Sequence, residues 1–127
     1  FRRVLFRSAA RQYKLDNLCA VVDRNRLQIS GNTEDVMGQD SQDERWAAFG
    51  WNVISVDGNC MQEVCDAWKA ARACKGKPTV VIANTVKGCG SSVMENKAQW
   101  HHKVPGDGEY RQIMQDLEDR KEAFCHE

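Results

Sequence analysis

The chain has 127 residues, 42% of them apolar and 28% charged, with 18 basic and 18 acidic side chains. That is enough for one domain with a modest core. The balanced charge argues against broad nucleic-acid or anionic-membrane binding, so any anion site must be local, and the apolar runs are far too short to span a bilayer.

The opening stretch Phe1–Ser8 is basic but lacks an apolar signal core and a small-residue cleavage site. It matches no pattern in the sequence after it. One choice of codons for these eight residues spells the end of a common sequencing-library adapter. Residues 1–8 are therefore expected to be non-native, and 9–127 to be part of a larger domain.

The apolar run Asn17–Asp23 predicts a strand covered on both faces. Ser41 and Glu44 have capping-box spacing and predict a helix through Trp46 and Phe49, stopped at Gly50. Trp51–Gly58 reads as a second strand. Met61, Val64, Cys65, Trp68 and Ala71 repeat at helical spacing, and Gly76 closes that helix. Pro78–Thr85, β-branched and apolar, is a third strand. A glycine-rich loop runs from Lys87 to about Gly108. Tyr110, Ile113, Met114, Leu117 and Phe124 then mark a last amphipathic helix, fraying toward Glu127.

This alternation predicts an α/β fold, a doubly wound parallel sheet with flanking helices. The six cysteines, Cys19, Cys60, Cys65, Cys74, Cys89 and Cys125, contain no Cys-x-x-Cys pair. They read as reduced, mostly buried thiols of a cytoplasmic protein.

In open parallel sheets, ligands sit beyond the carboxyl ends of the strands. Two polar loops fall there. The first offers Asp23, Asn25 and the carbonyl of Leu27. The Asn25 side-chain oxygen and that carbonyl are hard oxygen ligands suited to magnesium, which normally also holds a phosphate. Leu27 and Ile29 could then lie against an apolar ring. The alternative is a plain turn in which Asn25 bonds its own backbone and Leu27 and Ile29 join the core.

The second loop is too long for a plain connection. Gly88 and Gly90 let the backbone approach a phosphate, and Lys87 adds a point charge. His101, followed by His102 and Lys103, could hydrogen-bond a diphosphate or move a proton. The alternative is a glycine turn with solvated side chains. His101 and His102 make a poor metal pair, because adjacent side chains rarely converge. The Gly-Asp-Gly at Gly106–Gly108 follows the Asn loop rather than preceding it, and reads as a helix start with Asp107 capping.

Four segments, KLDNLCAVVDRNRLQISG, RWAAFGWNVISVDG, GKPTVVIANTVKGCG and ENKAQWHHKVPGDGEY, together resemble transketolase. The match is to the C-terminal part of its diphosphate-binding domain, closest to the N-terminal subunit of two-chain bacterial transketolases. The resemblance implies thiamine diphosphate and magnesium as cofactors. It gives Asn25 a magnesium bond through its side chain and Leu27 one through its carbonyl. It places Ile29 near the thiamine, Lys87 on the diphosphate, His101 on cofactor and substrate, and Lys103 as a weaker substrate contact.

Two features depart from the family pattern: His102 stands where the family carries Gly, and Arg24 and Arg26 flank Asn25 where smaller residues are common. The family's other metal half-site, a Gly-Asp-Gly whose Asp binds magnesium, is absent from the 24 residues before Asn25. It is expected upstream of Phe1, and the fragment alone is expected to be inactive.

The implied reaction moves a two-carbon ketol unit from a ketose phosphate to an aldose phosphate. The implied partners are a second subunit or domain carrying the aminopyrimidine site, and a dimeric assembly. Rival readings are deoxyxylulose-phosphate synthase, a 2-oxo acid dehydrogenase subunit, and a non-catalytic transketolase-like partner subunit.

Overall fold

The computed structural model describes residues 2–38 and 41–125, with side chains described for 5–38 and 41–123. Phe124 in the last predicted stripe, and the fraying predicted toward Glu127, lie outside the described side chains. The chain divides into two compact units, Phe1–Arg24 with Gln39–Thr85, and Asn25–Gly38 with Val86–Glu127.

The first unit is a parallel sheet flanked by helices. Its strands are β1 (Cys19–Arg24), β4 (Asn52–Asp57) and β5 (Thr79–Asn84), in the order β1-β5-β4. Both ladders are parallel, with Arg24 opposite Asn84 and Asn84 opposite Asp57. β5 is central because it is the most continuously apolar strand: Thr79 through Ile82 are buried, and Val80 and Ile82 are fully so. Side chains alternate across a strand. Val80 and Ile82 therefore share one face, where they join Ala10, Trp46 and Trp51, with Ala20, Val22 and Val53 alongside.

Three helices belong to this unit: α1 (Arg2–Gln12), α3 (Gln42–Ala48) and α4 (Met61–Ala73). α3 and α4 both pack on β4 and β5. α1 was not predicted, and it includes most of the segment expected to be foreign. It engages the core through aromatic contacts that no local periodicity announces. Phe6 meets Trp51 edge-on with ring centroids 5.6 Å apart. The Trp51 indole Nε1–H donates to the Arg7 carbonyl at 3.0 Å, and the Arg7 guanidinium lies 4.4 Å above the Trp46 ring.

Three local expectations are corrected. β1 is not covered on both faces: it is an edge strand, and Val21 is 53% exposed. Ser41 precedes α3, but its side chain caps nothing. A capping residue takes extended dihedrals, whereas Ser41 has φ 56° and ψ 31°. In α4 the buried residues are Ala67 and Ala71, while Met61, Cys65 and Trp68 are exposed. Small side chains let that helix approach the sheet, and the larger ones stay at its margin.

The second unit holds a short antiparallel pair, β2 (Leu27–Gln28) with β3 (Gly31–Asn32), then α2 (Thr33–Met37), a 3-10 helix (Ala98–His101) and α5 (Asp107–Cys125). Asn32 caps α2, its Oδ1 accepting from the Glu34 amide at 2.9 Å. α5 starts where the Gly-Asp-Gly was expected to start a helix, but Asp107 is its first residue rather than its cap. Gly106 is the cap: its carbonyl accepts from the Tyr110 amide at 2.8 Å, and its own N–H donates to Glu109 Oε2 at 3.0 Å.

Candidate functional site

Asn25, Leu27, Ile29, Lys87, His101 and Lys103 all fall in the second unit. The unit brings the two loops together locally, because β2 packs against the 3-10 helix that carries His101.

The first loop is a tight turn. The Asn25 side-chain Oδ1 accepts from the Leu27 amide at 2.9 Å, an Asx turn. Arg26 sits between them in the left-handed region at φ 60°, and the Arg26 carbonyl accepts from the Thr33 amide at 2.9 Å, closing the hairpin. This is half of the plain-turn geometry. The other half does not hold: Leu27 is only half-buried, and Ile29 is 66% exposed rather than in the core. Asn25 Oδ1 keeps a second acceptor direction beside the turn bond, so the amide fits a magnesium ion as well as its own backbone. Among the described residues, no group of three or more His, Cys, Asp or Glu side chains could hold a metal.

The second loop folds back on itself. The Asn96 amide donates to the Lys87 carbonyl at 3.0 Å. Gly88 and Gly90 have φ 70° and 93°, conformations glycine adopts without strain. Their missing side chains also serve this chain's own packing. A Cβ on Gly88 would lie 2.8 Å from Met94 Cβ, and one on Gly90 would lie 2.8 Å from Arg120 Nη1. The Ser92 amide and hydroxyl both donate to Asp116 Oδ2 at 2.7 Å, tying the loop to α5. Lys97 Nζ and the Trp100 indole both donate to the Val93 carbonyl, at 2.7 and 3.0 Å.

The two lysines differ in their surroundings. Lys103 lies 4.3 Å above the ring of buried Trp100 and pairs with Glu109. That lysine, with the Gly106 amide second, holds the Glu109 carboxyl below its usual range. Lys87 is half-buried, and among the described residues no carboxylate pairs with it. An uncompensated ammonium beside two glycines fits an anionic group better than a paired one does. His101 is exposed and edge-on to His102, 5.7 Å between ring centroids. His102 itself has φ −148° and ψ 20°, so this backbone does not require the family's glycine.

Sequence reasoning missed the supports of the loop: Trp100 as the platform for Lys103, Glu109 as its counter-charge, and Asp116 as the anchor for Ser92. Only Glu109 had a local signal, its capping-box distance from Gly106. The five cysteines with described side chains are all free. A cavity of about 450 Å³ lies at the amino end of β1, beside Asp16, Cys19 and Trp68. It is at the opposite end of that strand from Asp23, and burial pushes the Cys19 thiol up.

The family profile described as "Transketolase, thiamine diphosphate binding domain" matches residues 6–125. The chain is 45% identical over 116 residues to the A subunit of apulose-4-phosphate transketolase from Phocaeicola vulgatus, covering 91% of this chain and 41% of that protein. It is 41% identical over 105 residues to human transketolase, covering 83% of this chain and 16% of that protein. Among solved structures, transketolase from Campylobacter jejuni superposes with a TM-score of 0.80 at 25% identity, over 87% of this chain and 17% of that one. The chain thus spans less than half the length of these relatives.

Proposed function

The chain belongs to the transketolase family, in its thiamine-diphosphate-binding domain, and on that premise we propose that it supplies the diphosphate-and-magnesium half of a transketolase active site. The whole protein would transfer a two-carbon ketol unit from a ketose phosphate to an aldose phosphate. The observation that carries this reading is the half-buried Lys87, with no carboxylate partner among the described residues, on a glycine loop in the same unit as the Asn25–Leu27 turn.

Each residue has a role its surroundings support. Asn25 Oδ1 and the Leu27 carbonyl offer hard oxygens for magnesium. Lys87 meets the diphosphate as a point charge. Ile29, largely solvent-exposed, is free to cover an apolar ring. His101, also exposed, is free to hydrogen-bond substrate and move a proton. Lys103 is held by Glu109 and Trp100, which suits a weaker, outer contact with a sugar phosphate. Bound thiamine diphosphate supplies the nucleophilic carbon and stabilises the transferred unit.

Two bacterial relatives that match this chain are named as one of the subunits of a multi-chain transketolase. That naming supports a second subunit here, and a dimeric assembly is proposed with it.

The test uses the full-length protein together with the subunit that completes it. Calorimetric titration with thiamine diphosphate and magnesium should show saturable binding, and a ketose phosphate with an aldose phosphate should exchange two carbons. Lys87→Ala should weaken diphosphate binding by roughly ten-fold or more, the scale of one charge-assisted hydrogen bond. Absence of binding by the unmodified protein would refute the reading, and turnover of pyruvate in place of ketose phosphate would move it to another thiamine-diphosphate enzyme.

A further inference from the structure

We propose that Gly58, Thr85 and Asp23 form a clamp across the carboxyl ends of the three parallel strands, and that the clamp positions both site segments without touching cofactor. The proposal rests on the functional reading above. Asp23 lies two residues before Asn25, and Thr85 lies two residues before Lys87. None of the three clamp residues is a proposed ligand.

The geometry follows from the register. Asp23 pairs with Ala83, and Asp57 pairs with Asn84. Thr85 follows the last residue of β5 and stands two residues beyond Ala83, the partner of Asp23, from where it reaches diagonally back to Asp23. The Thr85 hydroxyl donates to Asp23 Oδ1, and the Thr85 amide donates to the Arg24 carbonyl at 3.4 Å. On the other side, the Gly58 amide donates to the Asn84 carbonyl at 2.8 Å. A Cβ on Gly58 would lie 2.5 Å from Thr85 Cγ2 and 2.8 Å from Ala83 Cβ. Asn84 is fixed as well, its Nδ2 donating to Ser55 Oγ at 3.1 Å and to the Val56 carbonyl at 3.2 Å.

Threonine suits the place because one carbon carries both groups. Its methyl occupies the space that Gly58 leaves open. That contact restricts χ1, already narrow for a β-branched side chain, and the hydroxyl is left facing Asp23. The Thr85–Asp23 bond is exposed, so it adds little to folding stability. What it fixes is the spacing of the two strand ends from which the Asn25 and Lys87 segments leave. Partners bonded directly to a metal's ligands typically change metal affinity or activity by about 10–100-fold when removed; the clamp acts one step farther out, through the backbone, so an effect at the low end of that range is expected.

The test measures thiamine diphosphate affinity, melting temperature, and turnover at saturating cofactor in the full-length protein with its completing subunit. Thr85→Val keeps the methyl and removes the hydroxyl. It should raise the cofactor dissociation constant roughly ten-fold, leave the melting temperature unchanged, and recover near-parental turnover at saturation. Thr85→Ser keeps the hydroxyl but loses the methyl that fixes its direction, so its affinity should fall between that of the parent and that of Thr85→Val. Asp23→Ala should match Thr85→Val, and the double variant should be no worse than either single one.

Parental affinity in Thr85→Val, or losses that add in the double variant, would overturn the clamp while leaving the functional reading intact. Failure of the unmodified protein to bind the cofactor would instead refute the functional reading, and the clamp with it.

Discussion

The two units are held together by different means. The sheet unit rests on burial: Val80 and Ile82 are fully enclosed, and Trp46, Trp51 and Ala10 close over them. The other unit buries only Ser91 and Trp100 among its described residues. Its order comes from turns, an Asx bond at Asn25, three donors on Asp116, and a lysine between Glu109 and a tryptophan ring. Binding segments are commonly drawn from the less stable parts of a fold. Every proposed ligand here lies in the unit with the smaller core, so rigidity and function are assigned to different stretches of one chain.

The largest expected effect probes the buried unit. Ile82→Ala removes a fully enclosed side chain from the central strand and should cost about 2–5 kcal/mol, read as a lower urea midpoint. A cost below about 1 kcal/mol would mean that this core collapses around the gap, and the contrast between the units would weaken. Next comes Gly88→Ala. Its φ is 70°, and the added carbon would meet Met94 Cβ at 2.8 Å and the Met94 carbonyl carbon at 2.9 Å. Strain and overpacking together should cost about 2 kcal/mol. Amide exchange should show the loss in residues 86–100 while the Val80 and Ile82 amides stay protected.

How far the sequence alone led follows the same division. β5, the C-terminal helix and the parallel arrangement were legible because apolar runs and helical spacing report burial directly. α1 was not, since it is rich in arginine and meets the core through an indole bond to the Arg7 carbonyl and a stacked guanidinium. The β2–β3 pair is two residues per strand, too short for any periodic signal. Ser41 carried the right residue type and spacing, but its backbone is left-handed rather than extended and its side chain makes no cap bond. At the site, the ligand types could be read from Asn25, Lys87 and His101. The packing of β2 on the 3-10 helix could not, because it joins segments far apart in sequence.

A smaller effect should separate the units by pH. Gln112 first, and then the Ser92 hydroxyl and amide, hold the Asp116 carboxyl below its usual range, and Lys103 followed by the Gly106 amide does the same for Glu109. Both folded values lie below the unfolded ones. The stabilisation is therefore complete above the ordinary carboxylate range and is lost as pH falls below about 4. Amide exchange corrected for intrinsic rate should show Ser92 and Gly106 losing protection between pH 6 and pH 3, with Val81 unchanged. Asp116→Asn should remove most of that dependence at Ser92 and leave Gly106 as it was. Equal loss at Val81 would show that the two units respond to acid as one.

The smallest effect is at Arg26. A non-glycine residue in the left-handed region costs about 1–2 kcal/mol, and Arg26 holds φ 60° between the two proposed magnesium ligands. Arg26→Gly relieves that strain but gains freedom in the unfolded chain, which offsets about half of it. The net change should be a stabilisation of less than about 1 kcal/mol, visible as a slightly higher urea midpoint. The paired measurement is thiamine diphosphate affinity in the full-length protein. Backbone strain persists where the surrounding structure or the function holds it in place. A stabilised variant that binds the cofactor less tightly would tie the arginine, and the strain it carries, to the site. A stabilised variant with parental affinity would make Arg26 an ordinary solvated turn residue and leave Asn25 and Leu27 to hold the metal without it.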